Sequence, residues 1–171
     1  MSLYDAFTLK GNGVLYRLTT NVLVSSNVRD TSIPINESKK WCGLWDTGAT
    51  GTFVDEKLAI ELGLNSMGKT KTNTANGEAD RDIYYINLTL PNNVTVNNIL
   101  AIGADLEDGI DLLIGMDIIT QGDFSITNVD GVTIFSFRMP SISKIDYVEE
   151  LENIHQSLKE QVADLRSALR N

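Results

Sequence analysis

Histidine and cysteine are almost missing from this chain of 171 residues: His155 and Cys42 are single occurrences. One cysteine closes no intrachain disulfide, so a reducing cytoplasm is the expected setting. Zinc sites built on several Cys or His ligands are excluded for the same reason. A Ser-His-Asp or Cys-His site would have to rest on His155 alone, within a charged segment near the C-terminus. Basic charge is scarce too. Fourteen Lys and Arg stand against 23 Asp and Glu, a formal net charge of −9. A nucleic-acid partner needs a basic stripe, and none is visible. No apolar run reaches the about 18–20 residues that cross a bilayer, and the opening MSLYDAFTLKGNGVLYRL lacks the pattern of an export signal. Neither a nucleic acid nor a membrane is therefore expected as partner. Hydrolytic chemistry must come mainly from carboxylates.

What is present reads as one β-rich domain with an appendage. From about Leu9 to Phe137, short alternating runs are separated by turn residues. Val14, Tyr16, Leu18, Val22 and Val24 alternate with more polar neighbours and predict a strand with one buried face. Asn27 to Asp30 suits a turn, and Ser32 to Asn36 is expected to open another strand. Thr70, Thr72 and Thr74 lead to Asn76-Gly77, and Ile83, Tyr85, Asn87 and Thr89 follow. Asn-Gly between two such runs signals a hairpin, because its turn needs positive φ at both central residues. Pro91 to Asn93 turns the chain into Val94–Ile102, and Gly131 divides a last hairpin. Asp55 caps a short helix over Glu56–Leu62 that ends at Gly63; a second short helix is predicted over Asp117–Gln121. Many short strands and few helices favour a small β-barrel or sandwich over residues 1–140.

Composition changes after Pro140. From Ile145 to Leu169 there is neither Gly nor Pro, and Val148, His155, Val162 and Leu169 fall seven apart, as do Leu151, Leu158 and Leu165. This a/d pattern over about three heptads reads residues 141–171 as a dimerisation coiled coil, ahead of an amphipathic helix folded back on the barrel.

The chemically informative stretch is Leu44-Trp45-Asp46-Thr47-Gly48-Ala49-Thr50. An apolar strand ends in an acid, a hydroxyl residue and a glycine, which places a carboxylate at a tight turn among backbone N–H groups. Downstream, Asp111 to Ile119 is an apolar strand that breaks at Gly115 into a short helix, and the Asn-Gly hairpin lies between. This order resembles the retropepsin-like aspartic proteases over roughly Gly11 to Phe137. The resemblance implies a single-lobe acid-protease barrel and an aspartic endopeptidase that acts on a peptide or protein and needs no cofactor or metal. It implies Asp46 as the catalytic aspartate. Thr47 and Gly48 match the positions that brace two active-site loops across a dimer, and Ala49 matches the small residue after them. Ala75, Asn76 and Gly77 match the substrate-binding flap tip, and Gly115 the glycine beneath the catalytic loop. Two positions depart from the pattern: Trp45 is bulkier than the usual aliphatic residue, and Met116 stands where retroviral enzymes carry Arg.

An aspartic protease works with two carboxylates too close to ionise together. This chain has one Asp-Thr-Gly; Asp108-Gly109 and Asp130-Gly131 lack the hydroxyl residue and read as turns. The second acid must come from another copy, which makes the expected enzyme a homodimer with Asp46 facing Asp46. Ala49 has no hydroxyl to hold the pair's pKa down, so activity is expected under mildly acidic to near-neutral conditions. Val54, Ile83 and Ile114 are candidate pocket walls, with ordinary core the simpler reading. The rival function is a non-catalytic dimeric scaffold that keeps the fold. A Ca²⁺ site on Asp105, Glu107, Asp108 and Asp111 is weaker, because the spacing does not fit an EF-hand loop.

Overall fold

The structure is a computed structural model that describes residues 5–33, 36, 38–74 and 77–169. The chain forms two compact units, Met1–Ser141 and Ile142–Asn171. The first is mainly β. Its strands are β1 (Ala6–Lys10), β2 (Thr19–Ser25), β3 (Trp41–Trp45), β4 (Phe53–Asp55), β5 (Lys69–Thr74), β6 (Gly77–Thr89), β7 (Thr95–Ala104), β8 (Leu112–Ile114), β9 (Asp123–Thr127) and β10 (Ile134–Arg138). Helix α1 (Glu56–Glu61) follows β4, and α2 (Met116–Ile119) follows β8.

Seven strands form one sheet in the order β2-β3-β8-β4-β7-β6-β5, and β2 pairs again with β6. That second pairing curls six of the strands back into a ring and leaves β5 outside it, at the edge. The inward side chains fill it: Val22, Val54, Ile86, Leu88, Leu112 and Ile114 are almost wholly buried. β3 and β8 run parallel, with Trp45 opposite Ile114. β1, β10 and β9 form a separate antiparallel sheet of three strands: β9 and β10 are the hairpin expected around Gly131, and β1 joins it from the start of the chain.

Local chemistry explains the short helices. The Asp55 side chain accepts from Lys57 N at 2.8 Å, satisfying one of the free N–H groups of α1. Gly63, at φ +61, carries the chain away in the left-handed conformation that L side chains disfavour. Turn chemistry likewise sets Asn93, at φ 64, with its N–H on Leu90 O at 2.9 Å.

The first expected strand is paired only from Thr19 onward, and the described start of the second is a turn. Val14 and Tyr16 alternate but pair with no strand, and Tyr16 is 95% exposed. Buried Thr133 takes that segment's hydrogen bonds instead: Gly11 N donates to its carbonyl at 2.8 Å and Leu15 N to its hydroxyl at 2.8 Å. Ser32 and Ile33 form a turn rather than opening a strand, because the Asp30 carboxylate accepts from Ser32 N at 2.9 Å and from its hydroxyl at 2.6 Å. Those bonds also hold the Asp30 carboxyl below its ordinary pKa. Short polar side chains compete with a strand ladder in this way.

The β5–β6 hairpin obeys the period of two. Thr70 opposes Arg81 and Thr72 opposes Ala79 on a half-buried face, while Lys69, Lys71, Glu78 and Asp80 are exposed. Thr74 pairs with Gly77, so Gly77 belongs to β6 rather than to a two-residue Asn76-Gly77 turn. Ala75 and Asn76 lie outside the described residues.

In the second unit, helix α3 (Tyr147–Ala168) is capped by Asp146, whose side chain accepts from Val148 N and Glu149 N at 3.2 Å each. Acids occupy its first turn and Arg166 its last, as the helix dipole favours. No described residue of α3 is buried.

Phe135 is fully buried among Phe7, Trp45 and Phe124. Phe135→Ala is expected to lower unfolding free energy by about 3–5 kcal/mol in urea titrations without changing the slope. Burial first, and the nearby Asp111 charge second, raise the Cys42 thiol pKa. Cys42 should therefore alkylate more slowly than free cysteine near neutral pH, and faster than free cysteine if this account is wrong.

Candidate active site

β3 delivers the acid. Trp41, Gly43 and Trp45 point into the core, and the strand stops after Trp45 as Asp46 leaves the ladder. Asp46 N donates to Ile114 O at 3.0 Å, so β8 still guides the first loop residue. The turn then folds back on the carboxylate: Gly48 N donates to Asp46 Oδ1 at 2.8 Å, and Ala49 N to Asp46 O at 3.2 Å. A Cβ on Gly48 would sit 3.1 Å from Asp46 Oδ1, which explains why a glycine suits this point. Asp46 and Ala49 are half-buried, whereas Thr47 and Gly48 are exposed.

The β8–α2 junction closes on the far side of this loop. Met116 N donates to Ala49 O at 2.8 Å. At Gly115, a Cβ would lie 2.2 Å from Gly51 O, a contact no side chain tolerates. Fully buried Thr52 completes the junction: its N–H donates to Asp117 Oδ2 at 3.1 Å and its hydroxyl to Asp117 Oδ1 at 2.9 Å. Asp117 read in the sequence only as the start of a helix. A buried Thr hydroxyl demands a partner, but nothing in the spacing says which acid supplies it.

Trp45 turns its bulk to use. Its ring meets Phe137 at 4.8 Å, Phe135 at 5.3 Å and Phe7 and Phe124 at 5.9 Å, and its Nε1 donates to Thr20 Oγ1 at 2.9 Å. The residue before Asp46 thereby joins the barrel to the three-stranded sheet. Asp46, Thr47 and Trp45 line an open cleft of about 380 Å³, together with Tyr16, Arg17, Phe124 and Ile126. A groove of equal size elsewhere, lined by Phe7, Thr20, Leu90 and Lys40, has no carboxylate in its lining.

The remaining candidates divide. Thr47, Gly48, Ala49 and Gly115 gather around Asp46, while Ala75 and Asn76 fall outside the described residues. Val54 and Ile114 are fully buried core and not pocket walls; Ile83 is half-buried. The acids of the Ca²⁺ reading point to separate partners: Asp105 to Arg81 at 2.9 Å, Glu107 to Arg17 at 2.6 Å, and Asp111 to Cys42 N at 2.7 Å. No group of three potential metal ligands occurs among the described residues.

Asp117→Ala strands the buried Thr52 hydroxyl and N–H and should cost about 1–3 kcal/mol in thermal or urea unfolding. An unchanged midpoint would mean that the clamp contributes nothing.

The model of a family described as aspartyl protease matches residues 32–118, just over half of the chain, from before Asp46 through Asp117. Solved structures with similar folds include a retropepsin-like aspartic protease from Rickettsia conorii. It has 14% identity and a TM-score of 0.48, with 78% of this chain and 93% of that one covered. The EIAV protease complexed with the inhibitor HBY-793 shows 19% identity and a TM-score of 0.46 over 62% and 91% of the two chains. The retroviral protease-like domain of Ddi1 from Leishmania major shows 14% and 0.41 over 78% and 99%. No curated protein sequence matches. By its family match, the chain belongs to the aspartyl proteases and is an aspartic-type endopeptidase.

Proposed function

We propose that two copies of this chain form the working enzyme, each contributing Asp46 to one catalytic pair. The observation that carries the reading is the single Asp46 carboxylate held by Gly48 N–H in an open cleft, in a chain with one Asp-Thr-Gly. A symmetric interface brings like to like, so the second acid is the partner's own Asp46. Close approach prevents both from ionising. The ionised carboxylate takes a proton from water as the water oxygen bonds to the peptide carbon, and the protonated one donates to the carbonyl oxygen. Collapse of the tetrahedral intermediate breaks the C–N bond, with a proton passing to the leaving nitrogen.

Exposed Thr47 and Gly48 are available to brace the partner's loop. In this reading residues 1–140 form the catalytic domain and residues 141–171 a dimerisation coiled coil. The peptide lies extended between the loop carrying Asp46 and the β5–β6 hairpin, with Ala75, Asn76 and Gly77 as its contacts there, bound largely through its main chain. Ala49 offers the carboxylate no hydroxyl, which supports activity from mildly acidic to near-neutral pH.

Cleavage of a mixed peptide library tests this. Asp46→Asn is expected to reduce cleavage by about 10³-fold or more, with the wild-type pH profile peaking above the gastric range. Cleavage that survives the substitution contradicts the assignment. A dimer that cleaves nothing at any pH supports a scaffold that has kept the fold.

A further inference from the structure

Along α3 the a and d residues Val148, Leu151, Leu158, Val162 and Leu165 are all between 46% and 67% exposed. A seam of this kind is stable in water only when covered, and its heptad spacing fits another helix. We propose that α3 pairs antiparallel with α3 of a second copy of this chain. The inference deepens the two-chain reading, on which it rests for the second copy.

The charges decide the direction. Seam-flanking e positions carry Glu152, Lys159 and Arg166, while the g positions Tyr147, Ile154, Gln161 and Ala168 carry none. Parallel helices pair g with e of the partner, so no ion pair forms anywhere along the rim. The acidic first turns, with Glu149 and Glu150, would also lie side by side. Antiparallel helices pair e with e. Aligning Val148 with Leu165, Leu151 with Val162 and His155 with Leu158 of the second copy sets Glu152 within about 3 Å axially of its Lys159, twice per pair. Arg166 then faces the acidic first turn of the other helix. Among the described residues, Glu152, Lys159 and Arg166 have no ion pair within the chain. His155 supports the same direction: parallel packing stacks it on itself, whereas antiparallel packing sets it against Leu158. Each rim pair adds little alone, but like-charge contacts in the wrong orientation oppose it.

Oxidative cross-linking of the full-length protein in a Cys42→Ser background reads the orientation. Glu152→Cys chains mixed with size-tagged Lys159→Cys chains are expected to give the mixed disulfide as the main product. Val148→Cys alone should give none, because antiparallel pairing holds its two copies about 25 Å apart along the axis. A dominant Val148→Cys self-disulfide means parallel helices and overturns the inference. Absence of any disulfide means that α3 does not pair and overturns it equally. The gel does not depend on cleavage. Lost cross-links with Asp46-dependent cleavage intact contradict the tail pairing alone; intact cross-links with Asp46-independent cleavage contradict the catalytic reading alone.

Discussion

Backbone meets backbone where Gly115 crosses Gly51, with no space for even one carbon of side chain between them. The rest of the site depends on this approach. It lets Met116 N reach Ala49 O, and it brings Asp117 beneath Thr52. The loop from Asp46 to Gly51 is thereby fixed at its start by Ile114 O and at its end by Asp117. A loop fixed at both ends holds a carboxylate with little freedom to rotate away, the preorganisation that acid–base chemistry requires. Met116 contributes here through its backbone N–H.

A second constraint works from behind. Trp45 immediately precedes Asp46 and is buried among four phenylalanines drawn from β1, β9 and β10. Position in the strand and position of the acid are linked by one peptide bond. The aromatic cluster therefore does more than fill space: it ties the three-stranded sheet to the strand that carries the acid. An aliphatic residue at this point would reach fewer of those rings.

Legibility followed the range of the forces involved. Helix α1 was readable because its cap, Asp55, and its exit, Gly63, act within a turn of the helix. The strand leading to Asp46 and the break at Gly115 were readable because an apolar run stopped by glycine has few other uses. Val14 and Tyr16 misled because alternation reports a strand only where a neighbour exists to pair with, and Thr133, far along the chain, supplies that segment's hydrogen bonds instead. Ser32 and Ile33 misled because the Asp30 side chain outcompeted a ladder. The Thr52–Asp117 clamp and the pairing of β1 with β10 are long-range contacts, and no local pattern encodes them.

In the proposed enzyme, one chain holds half of a catalytic pair. Subunit mixing tests it most directly: wild-type protein is re-equilibrated with increasing Asp46→Asn protein at constant total concentration, and peptidase activity is followed. If each active unit needs both carboxylates, an equal mixture keeps about a quarter of the activity, the fraction of wild-type pairs at random assortment. A linear decline, with half of the activity left in the equal mixture, would mean that each chain cleaves alone and would contradict the account.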